Sequence, residues 1–104
     1  MNARLLLLTP ALLLLAGAAR ADDWPQWRGP DRSGVSRETG LLKTWPKDGP
    51  KLLWTFRDAG VGYSSFAVVG NRLFTLGGRG DSDCVFAVDV KTGKEVWSAK
   101  LGPL

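Results

Sequence analysis

The chain has 104 residues, with fourteen Lys and Arg against ten Asp and Glu, no His and a single Cys. The lack of His removes the usual general base and the commonest metal ligand, and one Cys excludes an internal disulfide. The basic residues are scattered rather than gathered into a stripe, which gives no footprint for nucleic-acid binding.

The first twenty-one residues have the form of a secretory signal. Arg4 supplies the positive start, and Leu5 to Ala18 is a mostly apolar run interrupted by Thr9-Pro10. Ala19-Arg20-Ala21 then ends the segment as an A-x-A cleavage site before Asp22. The run is shorter than the roughly 20 apolar residues that span a bilayer, and no Cys follows it to carry a lipid. The expected product is exported, periplasmic or extracellular, with no transmembrane segment in the mature chain. Arg4 and Arg20 leave with the signal, so twelve basic residues remain against ten acidic ones.

Residues 22–50 are dense in Pro, Gly and Trp and show neither helical nor strand periodicity. Pro25, Pro30, Pro46 and Pro50 each push the preceding residue toward extended structure, so this segment is expected to be an irregular arm. Trp24 and Trp27 are read as anchors that dock into apolar grooves of the protein's own body, with Arg28 able to stack on either ring.

From Lys51 onward strands are expected. Lys51–Arg57 is rich in Leu, Trp, Thr and Phe and reads as the first. A Gly-rich connection follows to Ser65, then strands over Phe66–Val69 and Arg72–Leu76 around a Gly70-Asn71 turn. Gly77–Asp83 reads as a loop, Cys84–Val90 as the fourth strand and Glu95–Lys100 as the fifth, with no helix. Phe66–Val69 and Cys84–Val88 are apolar on both sides, the pattern of a sheet covered on both faces. Glu95–Lys100 is more polar, as suits an outer, partly solvated strand. Cys84, between Asp83 and Val85, is read as a small buried hydrophobe.

Between the last two strands lies Val85–Trp97, VFAVDVKTGKEVW. Gly93 is placed to take a positive φ and close a short hairpin. Asp89 and Thr92 are placed to bond the free backbone groups of the turn. Arg79-Gly80-Asp81-Ser82 contains an R-G-D tripeptide, but Gly followed by Asp is ordinary hairpin chemistry, and the turn reading is preferred. Asp81 and Asp83 alternate like cation ligands but lack the other oxygen donors that calcium needs. Ser64-Ser65 has no His to act as its base.

The spacing A-x-D-x-x-T-G-x-x-x-W, formed here by Ala87, Asp89, Thr92, Gly93 and Trp97, closely resembles the signature of PQQ-like (pyrroloquinoline-quinone-type) β-propeller repeats. The stretch Asp23-Trp24-Pro25-Gln26-Trp27-Arg28-Gly29-Pro30 resembles the leader that follows the signal in many exported members. An offset of 43 residues aligns Lys51 with Lys94, Trp54 with Trp97, Thr55 with Ser98 and Arg57 with Lys100, a period the size of one propeller blade. The resemblance implies an all-β fold of antiparallel four-stranded blades. Residues 51–104 then hold about one blade plus one strand of an incomplete propeller, expected to be the N-terminal part of a longer repeat protein, the alternative being a short protein that assembles blades from several chains.

For function, the resemblance implies two alternatives. A quinoprotein dehydrogenase of this kind grips PQQ with a Trp floor, a disulfide between adjacent cysteines, calcium ligands and a catalytic Asp. The lone Cys84 forms no vicinal pair, and no catalytic, cofactor-binding or metal-binding residue is carried over, so PQQ requires a site in other blades. The preferred expectation is a non-catalytic binding scaffold whose partner is a protein or peptide.

Overall fold

The computed structural model describes residues 21–104; the expected signal lies outside them except for its last residue. Four strands form one antiparallel sheet in chain order, β1 (Phe66–Val69), β2 (Arg72–Arg79), β3 (Ser82–Asp89) and β4 (Glu95–Pro103). Among the described residues there is no helix. The chain is all-β, as its β-branched and aromatic runs between Gly-containing turns require.

Two tight hairpins set the register. Gly70-Asn71 joins Val69 to its partner Arg72, and Gly80-Asp81 joins Arg79 to Ser82. Each two-residue loop begins with a glycine at positive φ, the arrangement whose twist matches that of the flanking strands. A slip of one residue at either turn turns every following side chain to the opposite face.

Residues paired across the ladder share a face. Leu73, Thr75, Cys84, Phe86, Val88 and Ser98 therefore lie on one side, and Phe74, Leu76, Val85, Ala87, Trp97 and Ala99 on the other. The buried centre is on β3, where Cys84, Phe86, Ala87 and Val88 are all sequestered from solvent. Burial of Cys84 agrees with its expected role as a small hydrophobe.

The expected strand at Lys51–Arg57 does not form: this stretch has no ladder partner. It is instead held by side chains against the Phe86 face. The Trp54 Nε1–H donates to the Val90 carbonyl at 2.7 Å, and Phe56 meets Phe86 edge to face at 6.1 Å. β-propensity makes a segment fit for a sheet, but it becomes a strand only beside a second backbone.

Gly77–Asp83 also departs from expectation. β2 and β3 continue through most of it, leaving only Gly80-Asp81 as loop. Gly77 and Gly78 are strand residues because they pair with Cys84 and Asp83 of β3, and another stretch of chain runs close beside them. Val61 and Gly78 exchange both backbone hydrogen bonds, at 2.9 and 2.7 Å. A Cβ built at Gly77 lands 1.9 Å from the Ala59 carbonyl oxygen, so no other residue fits there. β3 correspondingly starts at Ser82 and ends at Asp89, with Val90 in the next turn. β4 runs on to Pro103, three residues past the expected end, and is bulged at two points.

The arm is tied to β1 at one point. Trp24 and Val68 exchange backbone hydrogen bonds of 2.8 Å each, and Gly70 N–H donates to Asp23 Oδ1 at 2.7 Å. Trp24 is half-buried, with its ring against Gly29. Trp27 is 74% exposed and docks on nothing, contrary to the expected pair of anchors. Arg28 donates to the Ser33 carbonyl rather than stacking on a Trp ring.

Candidate functional site

The densest cluster of polar contacts is at the β3–β4 turn. The Asp89 carboxylate receives five donors. Its Oδ1 accepts from the Lys91 amide (2.9 Å), the Thr92 amide (2.9 Å) and the Thr92 hydroxyl (3.1 Å). Its Oδ2 accepts from Asn71 Nδ2 (2.7 Å) and Arg72 Nη1 (3.2 Å). The Asp89 carboxyl is consequently held below the usual carboxylate range. The Thr92 amide contributes most, partial burial opposes it, and the Thr92 hydroxyl, the Lys91 amide and the Arg72 charge add to it.

These bonds shape the turn. Asp89 N–H donates to the Lys94 carbonyl and Gly93 N–H to the Asp89 carbonyl, at 2.9 and 2.8 Å. Gly93 takes φ +69°, the left-handed conformation expected of it. The Trp54 ring lies directly on Gly93: a Cβ there falls 2.5 Å from Trp54 Cδ2. The bare Gly93 Cα and the Val90 carbonyl together make a seat for one indole.

A second cluster lies on the Phe86 face. Arg79 makes a forked pair with Glu95 at 2.8 and 3.3 Å and donates to Ser98 Oγ at 2.6 Å. Its guanidinium sits 4.6 Å over the Phe86 ring. The hydrogen bond to Arg79 holds Glu95 below its ordinary range, and Arg79 is raised in return. The R-G-D tripeptide is therefore built into a hairpin: Arg79 is engaged, Gly80 turns the chain, and Asp81 accepts from Ser82 Oγ and Lys100 Nζ.

The five residues of the sequence pattern do not converge on one point. Asp89, Thr92 and Gly93 meet in the turn. Ala87 is buried in the sheet opposite Trp97, and the Trp97 ring lies 6.1 Å from Phe74 on the other face. The tryptophan on Gly93 is Trp54, not Trp97. Sequence reading missed Asn71, Arg72 and the Arg79–Glu95 pair. Their contacts span sixteen to eighteen positions and follow from strand register, which the hairpin glycines at 70 and 80 alone could have revealed.

The two faces are unequal. Residues 54–62 cross the Phe86 face; on the Trp97 face the Leu104 side chain lies against Gly78, and the larger apolar side chains beside it stay exposed. There Leu76 is 49% exposed, Val69 46% and Trp97 45%. Among the described residues, no three His, Cys, Asp or Glu side chains are grouped to hold a metal, and no helix is long and apolar enough to cross a membrane. The chain matches no family model, no curated protein and no solved structure at a significant level.

Two variants test the turn. Gly93→Val forces a β-branched residue into the left-handed region, costing about 1–2 kcal/mol in the backbone alone, and displaces Trp54. A lowered melting temperature with red-shifted tryptophan emission is expected; an unchanged melt contradicts the seat. For Asp89, the folded-state pKa lies below the unfolded one, so its stabilisation is full above the unfolded value, about 3.9, and fades as pH falls through the folded value. Asp89→Asn is therefore expected to be less stable than wild type near neutral pH. The gap should narrow as pH drops below about 4, and a pH-independent gap in chemical denaturation counts against the carboxylate's role.

Proposed function

We propose that this is an exported PQQ-like β-propeller repeat protein whose sheet serves as one blade, and that it acts as a non-catalytic binding scaffold for a protein or peptide. The observation that carries this reading is the relation between the two tryptophans. Trp54 sits on the Gly93 turn and its segment crosses the Phe86 face, while Trp97, its counterpart one period of 43 residues later, lies on the opposite face beside Phe74 and is exposed. Each unit then lends its Trp-bearing segment to the next and presents its own in turn. The open face needs a second sheet, from further repeats or from another chain. Fully burying a Leu or Val side chain contributes about 1.5–3 kcal/mol, and repeat folds gather such terms across each interface between units.

The non-catalytic part of the proposal rests on where reactive groups are spent. The carboxylates of Asp89 and Glu95 and the Arg79 guanidinium are all engaged in holding strands and turns, and Cys84 is buried. What a stacked ring of such units offers to a partner is its turns and edges on a rigid frame. Export rests on residues 1–21, whose charge, apolar run and A-x-A ending are those of a secretory signal.

Leu76→Glu puts a charge in the centre of the open face without touching the turn or the arm. Wild-type protein is expected to self-associate through that face in sedimentation velocity, and the variant to sediment more slowly while keeping its β-sheet circular dichroism. A wild type that is monomeric and melts cooperatively overturns the proposal.

A further inference from the structure

The arm forms a half-open pocket of about 410 Å³ whose lining brings four carboxylates, Asp22, Asp23, Asp31 and Glu38, against one guanidinium, Arg37. Arg37 is committed to Asp31 at 2.7 Å, and Asp23 accepts from Gly70 N–H. The remaining charge is negative. Glu38 is the half-buried member, and its Oε1 accepts from the backbone nitrogen of Asp22. That nitrogen belongs to the peptide bond immediately after Ala19-Arg20-Ala21, and both Ala21 and Asp22 are exposed.

We propose that the Ala21–Asp22 bond is a processing site and that its hydrolysis supplies the cation this pocket lacks. A peptidase selecting small residues at positions 19 and 21 adds water across the bond. The Ala21 carbonyl becomes a carboxylate and the Asp22 nitrogen an α-ammonium, with no net proton taken from solution at neutral pH. A neutral amide with one N–H is thereby replaced by a charged group with three donors, already in contact with Glu38. Asp23 and Trp24, the next two residues, are bonded to the end of β1 and the following turn. Pairing of the new terminus with Glu38 therefore pins residues 31–38 of the arm to the edge of the sheet. This inference rests on the export reading above and adds to it a structural consequence of processing.

The test uses the full chain, expressed in a secreting bacterial host. The intact mass of the exported protein is expected to start at Asp22; a mass that retains residues 1–21 overturns both the export reading and this inference. Acylation of the α-amine at neutral pH, followed by peptide mapping, then tests the pairing. The ion pair keeps the amine protonated, so Glu38→Gln is expected to label about 1.5- to 5-fold faster than wild type, the range of an exposed ion pair. Asp48→Asn removes an arm carboxylate that does not line the pocket and is expected to label at the wild-type rate. An Asp22 terminus that labels equally fast in wild type and Glu38→Gln leaves the export reading standing and overturns the pairing, as does equal acceleration by Asp48→Asn.

Discussion

A carboxylate at the end of a strand must find donors, and in this protein the satisfaction of Asp89 organises much of what surrounds it. Its two oxygens gather the Lys91 and Thr92 amides and the Thr92 hydroxyl from the β3–β4 turn, Asn71 from the β1–β2 turn, and Arg72 from the start of β2. Three neighbouring strands are thus fixed at one end of the sheet by one side chain. Charge-assisted hydrogen bonds of this kind are stronger than neutral ones, and the lowered pKa of Asp89 expresses the same preference for the ionised form. The turn it shapes exposes the Val90 carbonyl and the bare Gly93 Cα, which are what Trp54 occupies. From there the chain crosses the Phe86 face and reaches Gly77, where only glycine leaves room for the Ala59 carbonyl.

The sheet that results has one roofed face and one open face. On the roofed side, Phe56 and the Arg79 guanidinium cover the Phe86 ring, and Phe86 is 0% exposed. The open side carries Leu76, Val69 and Trp97, and a two-sided apolar sheet of this kind gains stability when another layer covers it. The proposed repeat assembly supplies that layer with the same element that already covers the first face. β4, at the outer edge, is bulged beside Val96 and Leu101, carries Lys100 and is preceded by Lys94, devices that discourage pairing of further strands at an edge. Growth is accordingly expected face to face rather than edge to edge.

The parts of this fold that were legible in the sequence are those governed by local rules. Gly70-Asn71 and Gly93 announce turns because few other residues accept their backbone conformations, and Asp89 and Thr92 announce a capped turn because their short side chains reach nearby amides. The misreadings were set by distant partners. Lys51–Arg57 has strand composition but no strand beside it. Gly77-Gly78 has loop composition, yet lies within β2 because it pairs with Asp83 and Cys84 of β3, and the bare Gly77 leaves room for the Ala59 carbonyl. Trp24 and Trp27 are equivalent by composition, and only the geometry of β1 decides that the first is held and the second is free. Arg79 is part of an R-G-D tripeptide in the sequence and a strut between Glu95, Ser98 and Phe86 in the structure.

The central claim is that the Trp97 face is an interface between sheets, and hydroxyl-radical footprinting of the wild-type protein across a concentration series tests it most directly. The account predicts that oxidation of Trp97 and Leu76 falls as the protein associates, while Trp27 and Trp45 on the arm stay reactive throughout. A protein in which Trp97 remains as reactive as Trp27 at every concentration, with the sheet intact, contradicts it.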